Sequence, residues 1–337
     1  MALNIGVIGV GYWGPNLVRN FTANQRTHVL GVSDLNPERL AFIAARFPGV
    51  EITEDYRDLI NNPKIDAVAI CTPVFTHFEI AKAALEAGKH VLVEKPMTST
   101  SSQGEHLMDL ATQKNLVLMV DHTFLFTGAV RKIKEIVDSG ELGDLYYFDS
   151  TRVNLGLFQH DINVIWDLAP HDISIMEYLI NARAEAVVTT GADHVGNGIE
   201  DVAYLTVYYP GNVIAHINVN WLSPVKIRQT LIGGTRRMVV WDDNSPSEKI
   251  KVYDKGIEVL QTKEKLYETL IQYRTGDMYC PKVPQLEALM MEVDHFADCI
   301  EKGEKCLSGG DLGLKVVRIL EASEKSIKQR GKEIRLG

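Results

Sequence analysis

The chain has 337 residues, 45% hydrophobic and 23% charged, which excludes fibrous and disordered classes and leaves room for about two domains of ordinary size. Against 44 Asp and Glu stand 35 Lys and Arg, so the net charge of -9 disfavours nucleic acid and anionic membranes as partners. The 4 cysteines (Cys71, Cys280, Cys299, Cys306) form no Cys-x-x-Cys pair, and there is no basic leader and no apolar span of ~20 residues. These features predict reduced thiols in a cytoplasmic chain with no disulfide framework and no membrane segment.

The first third alternates short β-branched runs with helical spacing, the pattern of βαβ units on a parallel sheet. Strands are predicted at 5–8, 28–33, 67–71, 90–93 and 116–120, and helices at 15–24, 37–47, 77–87 and 101–114. From about residue 144 the apolar period changes to two, over 145–154, 186–190, 202–208, 213–221, 228–232, 238–241 and 250–253. This predicts a large open sheet, predominantly antiparallel. Tyr209-Pro210-Gly211-Asn212 predicts a hairpin turn, because Pro presets φ and Gly or Asn accepts positive φ. Helices return at 286–302 and 312–329. The expected organisation is a parallel-sheet domain over 1–121 and a second domain over 122–337 that includes the C-terminal helices, an α/β chain with an α+β second half.

Gly9-Val10-Gly11-Tyr12-Trp13-Gly14 follows an apolar strand and opens a helix, the context a G-x-G-x-x-G pattern needs. The first glycine allows the tight turn, the second lets backbone approach a pyrophosphate, and the third lets helix and strand pack closely. Asp34 follows Gly14 by the spacing at which an acidic side chain accepts the ribose hydroxyls. It favours NAD and would repel the 2′-phosphate of NADP, with Arg39 nearby as the countervailing group.

Lys95, in Glu94-Lys95-Pro96, lies just past a strand at the carboxyl edge of the predicted sheet, where open α/β folds place ligands. Asp167 and His171 are four apart near the start of a predicted helix with Pro170 in its first turn, so both can project toward one pocket and the carboxylate can orient the imidazole. Capping by Asp167 beside an incidental histidine is the plainer alternative. His77, His122, His160, His194, His216 and His295 show no His-x-x-x-His spacing, so no catalytic metal is expected. A Gly-x-Ser-x-Gly nucleophile elbow is also absent.

With Cys71-Thr72-Pro73 and His77, and with the run from Ala87 to Pro96, these motifs resemble the Gfo/Idh/MocA family of NAD(P)-dependent oxidoreductases over essentially the whole chain. The resemblance implies an NAD-binding Rossmann domain over 1–121, followed over 122–337 by an open-sheet α/β domain for substrate binding and oligomerisation. It extends the cofactor set beyond Gly9, Gly11, Gly14 and Asp34 to Tyr12, Trp13, Thr72, Pro73, His77, Glu94 and Lys95. It further implies His171 as general base or acid at the reacting hydroxyl, Lys95 holding that oxygen, and Asp167 orienting the pair. An imidazole, with its ordinary pKa of ~6.5, suits proton transfer near neutral pH.

The segments 151–156, 166–172 and 273–277 resemble the nucleotide-sugar branch, UDP-N-acetylglucosamine 3-dehydrogenases among them. That implies a substrate set of Lys95, Arg152, Asn154, Asp167, His171 and Arg274, the two guanidinium forks facing a diphosphate. Two positions depart from the pattern: His122-Thr123 stands where many members carry Arg, and Ala288 follows Glu287 where the sugar branch often has Pro. The implied reaction is oxidation of a UDP-sugar 3-hydroxyl; the alternatives are an inositol or free-sugar dehydrogenase and a non-catalytic NAD-binding sensor. An apolar face on the open sheet, together with the resemblance, implies a homo-oligomer, a dimer or tetramer.

Overall fold

The computed structural model describes residues 2–156, 162–196, 198–260 and 270–337, with backbone alone for 258–260 and 270–272. Packing divides the chain into two compact units, Met1–Thr127 with Leu286–Glu321, and Gly128–Gln285 with Ala322–Gly337.

The first unit opens with β1 (Leu3–Ile8), α1 (Gly14–Ala23), β2 (Thr27–Ser33), α2 (Pro37–Arg46), β3 (Glu51–Thr53), α3 (Tyr56–Asn61), β4 (Ala67–Ile70), α4 (Val74–Glu86), β5 (His90–Glu94), α5 (Ser101–Lys114) and β6 (Leu118–Asp121). The strands form one parallel sheet in the order β3-β2-β1-β4-β5-β6. Helices on both faces make the central strands continuous apolar runs: all four residues of β4 are buried. Caps set where helices begin. Asn36 accepts from the Glu38 and Arg39 amides at the start of α2, with Pro37 in its first turn, and Thr100 caps α5.

The second unit comprises α6 (Gly128–Asp138), β7 (Leu145–Leu155), α7 (Val164–Leu179), β8 (Ala186–Ala192), β9 (Val202–Tyr208), β10 (Ile214–Asn220), β11 (Leu222–Gly234), β12 (Met238–Asp242), β13 (Ile250–Tyr253), β14 (Gly256–Leu260), β15 (Leu270–Arg274) and β16 (Met278–Tyr279). Among the described residues, nine strands form its large sheet, β16-β13-β12-β11-β7-β10-β9-β8-β17, in which β17 is Ile334–Arg335. Pairing is antiparallel throughout except between β7 and β10, which run parallel. The predicted hairpin joins β9 to β10, with Gly211 at φ 73° and Asn212 at φ 62°. Alternate residues of those strands (Ala203, Leu205, Val207; Ala215, Ile217, Val219) are wholly buried, and α7 packs against β7, β9 and β10.

Two further helices, α8 (Ala288–Lys302) and α9 (Gly310–Lys328), follow. The expected division at 121/122 differs from the packing. The chain continues through a 3-10 turn at Thr123–Phe126 that packs against α8, and the Val120 N–H of β6 donates to the Ser308 carbonyl at 2.8 Å. The return segment therefore completes the first unit, and the division falls inside α9. Helix α7 also starts earlier than the apolar pattern suggests. Asn163 caps it, accepting the Trp166 amide, so Pro170 lies beyond the first turn, where it removes the N–H that would bond the Trp166 carbonyl.

Candidate functional site

In the first unit the strand order reverses between β1 and β4, and ligands of such sheets bind beyond the carboxyl ends of the strands at that point. The turn after β1 supplies the glycines. Gly9 has φ +90° and a Cβ there would meet the Cys71 carbonyl oxygen at 2.8 Å; a Cβ on Gly14 would meet the Gly9 carbonyl oxygen at 2.1 Å. Both glycines are demanded by the protein's own packing. At Gly11 a Cβ would meet only Arg39 Nη1, at 3.6 Å. The space beside Gly11 is thus kept clear for something other than the protein, as a pyrophosphate lying on the turn and the α1 N-terminus requires. The residues present fit a dinucleotide.

Asp34, just past β2, is largely buried. Its carboxylate accepts the Val10 amide at 2.8 Å and the Asn36 amide at 2.8 Å, with Arg39 Nη1 3.7 Å away. It therefore braces the glycine turn, and it is the acid that the sequence spacing assigns to the ribose hydroxyls. Tyr12 is 85% exposed on the same turn, whereas the Trp13 indole N–H donates to Asp121 at 2.7 Å and fastens the turn to the end of β6.

Thr72 and Pro73 lie after β4, with Pro73 capping α4. His77 is buried, its ring nitrogens 2.9 Å from the Pro96 carbonyl and 2.7 Å from the Thr72 carbonyl. Both are occupied by backbone, so His77 joins the loops after β4 and β5 rather than offering a nitrogen to a cofactor. Burial holds its imidazole below the usual range, with the Lys95 charge acting the same way against the raising effect of the carbonyls.

Glu94 ends β5 opposite Asp121 on β6. Burial, and then the Asp121 carboxylate, push the Glu94 carboxyl well above the usual range, against the pull of Lys95. Glu292 on α8 is wholly buried and is raised by the same two causes in the same order. Asp121 accepts from Trp13 and Thr123. The three carboxyls thus form one buried cluster in which Glu94 and Glu292 are pushed toward their neutral forms. Beside it, His122 is buried and held neutral, its pKa lowered to about 3 by burial and Lys95. Sequence reading missed this cluster. Its visible signal is a glutamate inside the apolar stripe of α8, Leu289, Val293 and Phe296.

In the second unit, Asp167 and His171 lie one turn apart on α7. The Trp221 indole N–H donates to Asp167 Oδ2 at 3.0 Å. Trp221 is itself buried against Gly156, where a Cβ would meet Trp221 Cδ1 at 2.5 Å. Trp221 was not singled out by the sequence, yet it fixes the carboxylate expected to orient His171. Asn154 lies on β7 where the register with β11 breaks between Leu222 and Ile227.

Of the expected substrate residues, Arg152 is corrected and Arg274 has a local partner. Arg152 is not at a surface facing a diphosphate: it is buried on β7 and grips Asp172 of α7 through Nε at 2.6 Å and Nη2 at 3.2 Å, while Ser150 donates to the same carboxylate at 2.8 Å. Arg274 pairs with Asp254 and donates to the Arg236 carbonyl, so its fork is engaged locally. Lys95 belongs to the first unit and Asp167 and His171 to the second. His160 lies outside the described residues.

Comparison with known proteins finds two family models along the chain. A family model described as "Oxidoreductase family, NAD-binding Rossmann fold" matches residues 3–122, and one described as "GFO/IDH/MocA C-terminal domain" matches 130–240. The uncharacterized oxidoreductase YdgJ of Escherichia coli is 30% identical over 73% of this chain and 73% of its own. The UDP-N-acetylglucosamine 3-dehydrogenase of Acidithiobacillus ferrooxidans is 32% identical over 56% of this chain and 58% of its own. Its solved structure superposes with a TM-score of 0.83 at 23% identity, covering 98% of this chain and 99% of that one. The myo-inositol 2-dehydrogenase of Thermotoga maritima is 22% identical over 97% of both chains.

Proposed function

From its membership of the Gfo/Idh/MocA oxidoreductase family, whose NAD-binding Rossmann model it matches, we propose that this chain moves a hydride between nicotinamide and a secondary alcohol of a sugar. The observation that carries the reading is the space beside Gly11, with Asp34 beyond β2 and Lys95 just past β5 at the same edge of the sheet. When bound, the cofactor supplies the hydride acceptor. The backbone at Gly11 and the α1 N-terminus would hold its phosphates, with Gly9 and Gly14 shaping the turn beneath them, and Asp34 would accept from its adenosine ribose, favouring NAD over NADP.

The chain's own side chains manage the proton and the charge. His171 takes the proton from the reacting hydroxyl, the Lys95 ammonium donates to the oxygen as negative charge develops on it, and Asp167 orients the imidazole. Asp167 is itself fixed by Trp221.

A UDP-sugar such as UDP-N-acetylglucosamine is the first substrate to try, on the likeness to the Acidithiobacillus enzyme. A free polyol or inositol is the second reading, favoured because both expected diphosphate forks are engaged, Arg152 by Asp172 and Arg274 by Asp254. The test is the rise of NADH absorbance with NAD and, in turn, UDP-N-acetylglucosamine, its uronic acid and myo-inositol. Turnover lost in Lys95→Ala and in His171→Ala, with NAD still bound, supports the proposal. Turnover unaffected by both substitutions would refute the assigned roles.

A further inference from the structure

Away from the cofactor turn, α8 carries His295 and Cys299 one helical turn apart, so both side chains leave the same face. The helix ends at Gly303, which has φ 67°, and the loop beyond it brings Cys306 back to that face. The imidazole nitrogen and both sulfurs lie within 4.8 Å of one another. Cys299 is buried, whereas His295 and Cys306 are part-exposed, which leaves a route in from solvent.

The details of the cluster are those of a ligand set. Cys299 Sγ is 3.5 Å from His295 Nε2. A tetrahedral ion with bonds of about 2.3 Å to sulfur and about 2.0 Å to nitrogen separates its sulfur and nitrogen ligands by about 3.5 Å. The Leu307 amide donates to His295 Nε2 at 2.9 Å. That bond puts the imidazole proton on Nδ1 and makes Nε2 the nitrogen that carries the lone pair, the one a metal would take over from the amide. The Phe126 ring, 5.5 Å from the imidazole between centroids, flanks the ring and limits its rotation. Two sulfurs and one imidazole are soft donors, which select zinc-like ions over magnesium or calcium.

We propose that His295, Cys299 and Cys306 bind one thiophilic divalent cation of the zinc type, with water in the fourth position and Leu307 N–H released as the metal takes Nε2. The ion clips the end of α8 to the loop that leads into α9. Sequence spacing alone does not reveal it, because the third ligand is delivered by the turn at Gly303 rather than by a repeat of Cys or His.

The test is titration of the full-length chain, reduced and stripped of metal, with Co2+ as a spectroscopic probe. One Co2+ per chain should bind with a thiolate-to-cobalt charge-transfer band and the intense visible absorption of tetrahedral cobalt, and Zn2+ should displace it. Cys299→Ser should abolish the band. Cys306→Ser, which lies outside the helix, should weaken binding by about tenfold or more, the loss that even an outer-shell change produces. Cys280→Ser, at an exposed thiol outside the cluster, should leave both spectrum and affinity unchanged. No charge-transfer band, or a band that survives both Cys299→Ser and Cys306→Ser, overturns the proposal. So does a Cys299–Cys306 disulfide that a non-thiol reductant cannot open.

Discussion

Arg152→Ala tests whether this arginine serves a substrate or the fold. The Arg152–Asp172 pair is nearly solvent-free, with side-chain exposures of 3% and 2% and a 2.6 Å contact. Removing one partner of a buried pair leaves the other charge uncompensated, at a cost of about 3–5 kcal/mol. For a unit of this length, each kcal/mol lowers the midpoint by about 2–4 °C, so the expected loss is about 6–20 °C. The double change Arg152→Met with Asp172→Leu removes both charges and fills the space with apolar atoms. It should restore most of that loss, because the Ser150 hydroxyl can turn to Thr230 Oγ1, 3.3 Å away. Thermal unfolding followed by near-UV circular dichroism measures both variants, with steady-state kinetics run alongside. A shift under about 2 °C for Arg152→Ala, accompanied by a raised KM for a UDP-sugar, would refute the structural role and return Arg152 to the substrate.

Gly11→Ala should keep the parent midpoint and lose NAD affinity, whereas Gly14→Ala, with its Cβ 2.1 Å from the Gly9 oxygen, should lower the midpoint as well; thermal shift and NAD titration separate the two. Asp34→Ala should weaken NAD binding by about 10–150-fold, the worth of a hydrogen bond to a charged group, and narrow the preference over NADP, read from the two KM values. The Glu292 carboxyl is raised in the folded chain, so its contribution to stability is complete below the unfolded pKa and is lost as pH rises through the folded one; Glu292→Gln should flatten the alkaline fall in midpoint. His122 runs the other way. With a folded pKa of about 3 against ~6.5 unfolded, its contribution is complete above ~6.5 and falls away toward acid, so His122→Phe should flatten the acid limb of the same pH series.

The Rossmann half is legible because each of its signals is local. A strand, a glycine turn and an acid at fixed spacing need no knowledge of distant residues, and the period-two runs of the second half announce the open sheet in the same way. The misreadings share a different cause. A lone arginine in a strand looks like a surface group until its partner, twenty residues on in α7, is known to fold over it. Glu94, Asp121 and Glu292 come from three separate elements, so no window of sequence contains the cluster. Pro170 marked the first turn of a helix by its usual preference, but Asn163, capping three residues before Trp166, moved the start upstream. Asp167 and His171, by contrast, were placed correctly on one helix face by spacing alone.

The return of the chain to the first unit also sets a schedule for synthesis. Met119 in β6 pairs with Gly309, about 190 residues later in the chain. At roughly 5–20 residues per second, β6 waits roughly 10–40 s on the ribosome before that segment exists. During this interval the last strand of the parallel sheet presents unpaired backbone groups, the kind of edge on which chains stick to one another. Nascent chains should therefore depend on a ribosome-associated chaperone until Gly309 has emerged, and slower translation of the second unit should increase aggregation rather than relieve it.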